Sequence, residues 1–216
     1  MSTEIRTGCM FYPRRTTAID VIRAAAVPVD YFVHLGPQYV VTECTDAKIA
    51  MPTIGIIGIE ASRKRYLECV KQYPGHLIHA AAWHCRTKIP FYVRREDESW
   101  PWESAFAPKE GDGGDQPSYM VDAITLDSLS DFLGPFERSI LWADIEGSEL
   151  NALRGARSLL ERKAFQSILV EVREEMESPG WCKESEVHEF LSSFEYIRVG
   201  EFRICHTNCD ALYVPE

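Results

Sequence analysis

Between Ser139 and Glu171 the chain reads as strand, helix, strand, and each strand runs into acid. Ser139–Ala143 is a short apolar run that stops at Asp144 and Glu146, and Gly147 then breaks it. From Leu150 the apolar period becomes helical, with Leu150, Leu153, Ala156 and Leu160 on one face. Ser167–Val170 repeats the apolar run and ends at Glu171. Two buried strands joined by a helix form a βαβ unit. In open α/β sheets the ligand crevice lies outside the carboxyl ends of the strands. Carboxylates placed there pay for desolvation, so they serve a partner or a reaction.

The remaining chain alternates in the same way. Thr16–Val27 reads as a helix, with Ile19, Ile22 and Ala26 at helical spacing, Thr16 or Thr17 as N-cap and Pro28 as its stop. Tyr31–Leu35 is a strand closing at Gly36-Pro37, followed by a helix to Ala50 that Pro52 breaks. Ile54–Ile59 is a buried strand stopping at Glu60, and Ser62 caps a charged helix to about Tyr73. Leu77–Ala82 and Ile89–Arg94 are the third and fourth strands. The segment Glu96–Pro117, rich in Gly, Asp, Glu and Pro and holding Trp100, Trp102 and Phe106, is a long loop over the crevice. Tyr119–Thr125 is a strand and Leu126–Leu133 a short helix; Lys183–Phe194 is a helix, with closing strands at Tyr196–Val199 and Ala211–Val214. Met1–Arg15 has no clear period and is expected to be a strap or tail. The pattern predicts one α/β domain over residues 1–216, with a doubly wound, mostly parallel sheet and no second hydrophobic core.

A net charge of −10 argues against a nucleic-acid partner, which calls for a basic footprint. Seven scattered cysteines without framework spacing read as free thiols of a reducing compartment. No apolar stretch reaches membrane-spanning length, and Met1–Arg15 lacks the apolar core of a signal peptide. These features predict a cytoplasmic protein.

Thr125-Leu126-Asp127-Ser128-Leu129, Asp144-Ile145-Glu146-Gly147-Ser148-Glu149, Leu153-Arg154-Gly155-Ala156 and Leu169-Val170-Glu171-Val172, in that order and spacing, resemble the FkbM-type S-adenosylmethionine (SAM) methyltransferases. The resemblance spans roughly Tyr31 to Pro215 and implies a Rossmann-like class I methyltransferase with an antiparallel closing strand and SAM as cofactor. It also implies a small hydroxylated acceptor, commonly a sugar of a glycan or natural product.

Glu60 ends the second strand, where an acid accepts hydrogen bonds from both hydroxyls of a ribose. In the family this position holds the cofactor ribose, and Ala61 follows it. The family's first turn is an acid, one residue, Gly, and a second Gly four residues on. Here His34 stands for the acid, Gly36 is kept, and Val40 replaces the second glycine. His34 would then contact the cofactor's methionine carboxylate, whereas the usual acid binds its amine. Ala80, Ala81 and Ala82 leave room for a flat base on which Trp83 could stack, or they simply pack the core. Asp144, Glu171 and Glu146 supply candidates for a general base, with Asp144 also near the cofactor. The same three could grip a divalent cation, although a metal is not expected. In the plainer alternative Glu146 caps the following helix and Glu149 pairs with Arg154 or solvent. Trp142 occupies a position where the family often has lysine; with Trp100, Trp102 and Trp181 it would suit stacking on a sugar. His206, between Cys205 and Cys209, fits no common zinc frame and is expected in a turn on the crevice side.

These residues point to a SAM-dependent O-methyltransferase. A non-catalytic relative that only binds, suggested by the altered first turn, is the alternative. A nucleotide-binding oxidoreductase would need a G-x-G-x-x-G turn after the first strand, which is absent.

Overall fold

A computed structural model describes residues 10–12, 17–25, 27–37, 42–93, 103–104, 118–134, 136–173, 182–203 and 208–216. Most of Met1–Arg15 and of the 96–117 loop, with Trp100, Trp102 and Phe106, lies outside these residues, as do Val40, Trp181, Cys205 and His206.

The strands are β1 (Met10–Tyr12), β2 (Tyr31–Leu35), β3 (Gly55–Glu60), β4 (His76–His79), β5 (Ala81–Ala82), β6 (Thr87–Val93), β7 (Glu103–Ser104), β8 (Tyr119–Ile124), β9 (Ser139–Ala143), β10 (Phe165–Arg173), β11 (Tyr196–Arg203) and β12 (Asn208–Pro215). The helices are α1 (Ala18–Ala24), α2 (Thr42–Ala50), α3 (Arg63–Cys69), α4 (Leu129–Leu133), α5 (Glu149–Arg154), α6 (Arg157–Glu161) and α7 (Glu184–Ser192). The main sheet has the order β1-β11-β12-β10-β9-β2-β3-β4. Its pairings are parallel except where β12 runs antiparallel to both β10 and β11. The Rossmann-like class I methyltransferase architecture is therefore present, with its antiparallel closing strand. The chain steps outward from β2 to β3 and β4, then returns to the other side of β2 with β9 and β10. That reversal opens a crevice at the carboxyl ends of β2, β3 and β9.

Strand alternation divides the core into two layers. Val33, Leu35, Ile57, Ile59, Leu141, Ala143, Ile168 and Val170 face the layer completed by α5, α6 and α7. Phe32, Ile56, Ile140, Trp142 and Leu169 face the layer completed by α1 and α2. No helix among the described residues is long and apolar enough to cross a membrane.

Four expectations change. Within the stretch expected to be a strap or tail, Met10–Tyr12 forms β1 at the edge of the main sheet, parallel to β11. Leu77–Ala82 is split: β4 stays in the main sheet, and β5 joins a second sheet of order β5-β8-β6-β7. That sheet carries a small cluster of its own, Ala81, Ile89, Phe91, Val121 and Ala123, which the sequence pattern did not announce as a separate core. The helix from Leu150 is broken at Gly155, where the Trp83 carbonyl comes so close that a Cβ would lie 2.0 Å from its oxygen. Asp127 then caps the new start, its carboxylate accepting from the N–H groups of Ser158 and Leu159 at 3.1 and 2.9 Å. β10 runs past Val170 to Arg173, held by its register with β12 from Ile168↔Tyr213 to Arg173↔Asn208.

The crevice floor is sewn by backbone. The Gly36 N–H donates to the Ile59 carbonyl at 3.0 Å and the Asp144 N–H to the Leu35 carbonyl at 3.3 Å. Gly36 has φ +72°, and a Cβ on it would lie 2.2 Å from the Asp144 carbonyl oxygen. Gly134 has φ +77°, and among the described residues nothing lies within 4 Å of such a Cβ. Gly36→Ala is thus expected to cost about 2 kcal/mol or more and Gly134→Ala about 1 kcal/mol, read from urea denaturation midpoints. Equal losses would contradict the close approach at Gly36.

Candidate active site

The crevice at these strand ends encloses roughly 520 Å³ of empty space, counting the part open to solvent. Glu60, Ala61 and Arg65 form one wall, and Ala80, Ala81, Ala82 and Phe91 another. Gly36, Asp144, Ile145, Glu146 and Ser148 close the far end. Glu60 is buried, and its carboxylate accepts from the Ser62 N–H at 2.7 Å, which fixes its aim. Ser62 in turn accepts from the Arg65 N–H at 3.2 Å and caps α3. The capped first turn brings the Arg65 side chain back over the crevice.

The far end is a tight turn. Glu146 has φ +54°, in the left-handed region, where a non-glycine residue is strained, and Gly147 follows at φ +93°. Glu149 holds the turn in place. Its carboxylate accepts from the Ile145 and Gly147 N–H groups at 2.9 and 3.2 Å, and the Cys182 thiol donates to it at 3.7 Å. Burial is the main cause that lifts Glu149 to about 7, opposed by those backbone donors. Ser148 is buried at the same corner, and its hydroxyl has no hydrogen-bond partner among the described residues.

Asp144, Glu146 and Glu171 converge there, with one oxygen of each within 4.8 Å of the others. Arg173 Nη2 lies 3.5 Å from Glu146 Oε2 and 3.9 Å from Glu171 Oε1. Burial first, then the charges of Asp144 and Glu149, push Glu146 up to about 8 against the opposing pull of Arg173 and Arg65. Burial, and then Asp144, Glu146 and Glu149, raise Glu171 well above its ordinary value. The carboxyls are thus set apart from ordinary surface acids.

Of the residues singled out from the sequence, Gly36, Glu60, Ala61, Ala81, Ala82, Asp144 and Glu146 line the crevice, and Glu171 joins its acidic corner. His34 does not. Alternation along β2 turns it into the layer with Phe32 and Trp142, where its Nδ1 is 3.2 Å from the Cys44 Sγ. Burial lowers it to about 3, so it is a neutral core histidine. Trp83 is also displaced from the expected role, packing against the small second-sheet cluster, and Phe91 takes the place on the crevice wall. Trp142 is 5% exposed in the core, which removes it from any sugar-stacking role. Glu146 is not a helix cap, and the pairing expected of Glu149 is replaced by the turn it secures.

The basic run Arg63-Lys64-Arg65 reads from the sequence as a solvated helix face, but Arg65 is buried on the crevice wall. Phe91, Ser148 and Arg173 were missed. Arg173 was within reach, since residues two apart on a strand share a face and Glu171 had been singled out. Phe91 carries no local signal, because its place depends on β6 pairing with β8.

The residues fit a nucleoside-bearing cofactor. A fixed carboxylate stands at one wall, small side chains and a ring line the next, and at the far end a buried hydroxyl has no partner among the described residues.

The family model of the methyltransferase FkbM domain matches residues 41–199. No curated protein matches the sequence. Among solved structures the chain is similar to fibrillarin of Aeropyrum pernix in complex with natively bound S-adenosyl-L-methionine. That likeness has 14% identity and a TM-score of 0.49, over 89% of this chain and 74% of that one. It is also similar to a SAM dependent methyltransferase from Aquifex aeolicus, with 7% identity and a TM-score of 0.48, over 92% and 89%. A third likeness is to the N-terminal domain of EvdMO1 with SAH bound, with 15% identity and a TM-score of 0.45, over 92% and 79%. These likenesses assign no role to any residue.

The raised carboxyls make stability depend on pH. Folded Glu146 keeps its proton to about 8, whereas the unfolded group releases it near its ordinary value of 4.5. Its contribution is therefore full at low pH and lost as pH rises toward 8. Neutral His34 acts oppositely below its unfolded value of 6.5, so the clean window is 6.5 to 8. Urea midpoints should fall across that window. Glu146→Gln should flatten the fall and gain on the order of 1 kcal/mol at the upper end. A wild-type curve that climbs there would contradict the buried, protonated state.

Proposed function

This chain belongs to the FkbM family of SAM-dependent methyltransferases, and we propose that it moves a methyl group to a hydroxyl of a small acceptor, a sugar in a glycan or glycosylated natural product. The acceptor class follows from what the family resemblance implies. The observation that carries the O-methyl reading is the meeting of Asp144, Glu146 and Glu171 at one end of the crevice. SAM supplies an electrophilic methyl on a sulfonium when bound, which leaves the protein to place a hydroxyl and take up its proton.

Glu60 would hold the ribose hydroxyls, with its orientation set by the Ser62 N–H. Ala61, Ala81, Ala82 and Phe91 would bracket the base. The Gly36 turn, Asp144 and the Ser148 hydroxyl would hold the amino-acid end. Asp144 is the first choice as proton acceptor, followed by Glu171 and then Glu146. Asp144 is only half-buried, and its charge is among the causes that keep the other two protonated. Glu146, with its proton retained near neutral pH, would then donate a hydrogen bond beside Asp144 rather than compete for the hydroxyl proton.

A second reading, a relative that binds without catalysis, is favoured by one observation. The family's acid in the first turn is here a neutral histidine sealed in the core. Mass spectrometry of hydroxylated sugars incubated with SAM separates the two readings. A gain of one methyl group supports transfer; cofactor binding without any such product supports the binding protein. Asp144→Asn should lower turnover about 100-fold or more, far more than it weakens cofactor binding. Glu60→Ala should weaken cofactor binding about tenfold or more and spare turnover at saturation. Equal losses of both quantities in each variant would undo these assignments.

A further inference from the structure

The acidic corner is where a divalent cation would be sought. Three carboxylates bring oxygens within 4.8 Å of one another, the ligand type that magnesium or calcium takes. A guanidinium already occupies the neighbourhood. Arg173 ends β10 two residues after Glu171, on the same face of the strand. Its Nη2 is 3.5 Å from Glu146 and 3.9 Å from Glu171, and its side chain is 13% exposed. Bulk water therefore screens this charge poorly. The planar fork of a guanidinium can address two carboxyl groups at once.

We infer that Arg173 is the built-in counter-cation of this corner, a positioning residue that holds Glu146 and Glu171 together and keeps divalent metal out. A metal ion bound by the three carboxylates would sit within a few ångströms of that guanidinium and be repelled by it. Arg65 adds a second positive charge that acts on Glu146. On the negative side stand Asp144 and Glu149, both of which act on Glu146 and Glu171. The corner thus contains its own positive partner, and the hydroxyl proton is left to Asp144. That last role rests on the methyltransferase reading above; the exclusion of metal does not.

Calorimetric titration of manganese chloride alone into chelator-treated protein tests the inference. Wild type should show no stoichiometric binding up to about millimolar metal, at the weak end of the range for oxygen-ligand sites. At pH 8 Arg173→Gln should bind one equivalent at least about tenfold more tightly than wild type, because the repelling charge is gone and the metal displaces the protons that Glu146 and Glu171 hold. Arg173→Lys, which keeps the charge, should exclude the metal as wild type does. In methyl transfer, chelator should leave wild type unaffected. One equivalent of tightly bound metal in wild type or Arg173→Lys would overturn the inference. A folded Arg173→Gln that binds no better than wild type would do so as well. If Arg173→Gln does not fold, the wild-type and lysine titrations decide. The titration involves neither cofactor nor acceptor, so failure of methyl transfer alone counts against the proposed reaction and not against the counter-cation.

Discussion

Where Gly36 passes the carbonyl of Asp144, two stretches of backbone come so close that any side chain at Gly36 would collide. The rest of the site hangs on this approach. Hydrogen bonds from Gly36 to Ile59 and from Asp144 to Leu35 tie the ends of three neighbouring parallel strands together. The sheet reverses its direction of growth at the same place, so the strand ends part and leave a crevice above the tied floor. Glu60 and Asp144 stand on its two sides because they are the residues at which β3 and β9 run out.

Building acid into such a corner takes structural support, which the sequence distributes over several residues. Glu149 gives up solvent and gains two backbone donors, and in return the turn that contains Glu146 is locked in a left-handed conformation. Glu171 is carried into the corner by a strand that β12 extends beyond its apolar run. Burial then raises the affinity of Glu146 and Glu171 for protons, and Arg173 limits the rise. Backbone geometry and electrostatics work on the same few residues, which is how functional sites differ from a well-satisfied surface.

The architecture was legible in the sequence because buried parallel strands leave strong apolar runs, and acids at their ends break those runs visibly. Ser139–Ala143 with Asp144, and Gly55–Glu60, are of this kind, and both lie where the pattern put them. His34 misled, because resemblance located it in the turn while strand alternation, equally readable, turns it into the core. Phe91 rather than Trp83 lines the crevice for a different reason. The split between His79 and Ala81 and the pairing of β6 with β8 are tertiary choices with no local signature. The close approach that keeps residue 155 a glycine likewise comes from the Trp83 carbonyl, far away in sequence.

The account stands on one spatial claim, that an adenosyl cofactor lies across the tied strand ends with its ribose toward Glu60 and its sulfur toward Asp144. A crystal structure with S-adenosylhomocysteine tests it most directly. The account predicts both ribose hydroxyls within hydrogen-bonding distance of the Glu60 carboxylate, the base between Ala82 and Phe91, and the sulfur facing the acidic corner. A ligand seated elsewhere on the protein, or lying in the crevice with its ribose away from Glu60, would contradict it.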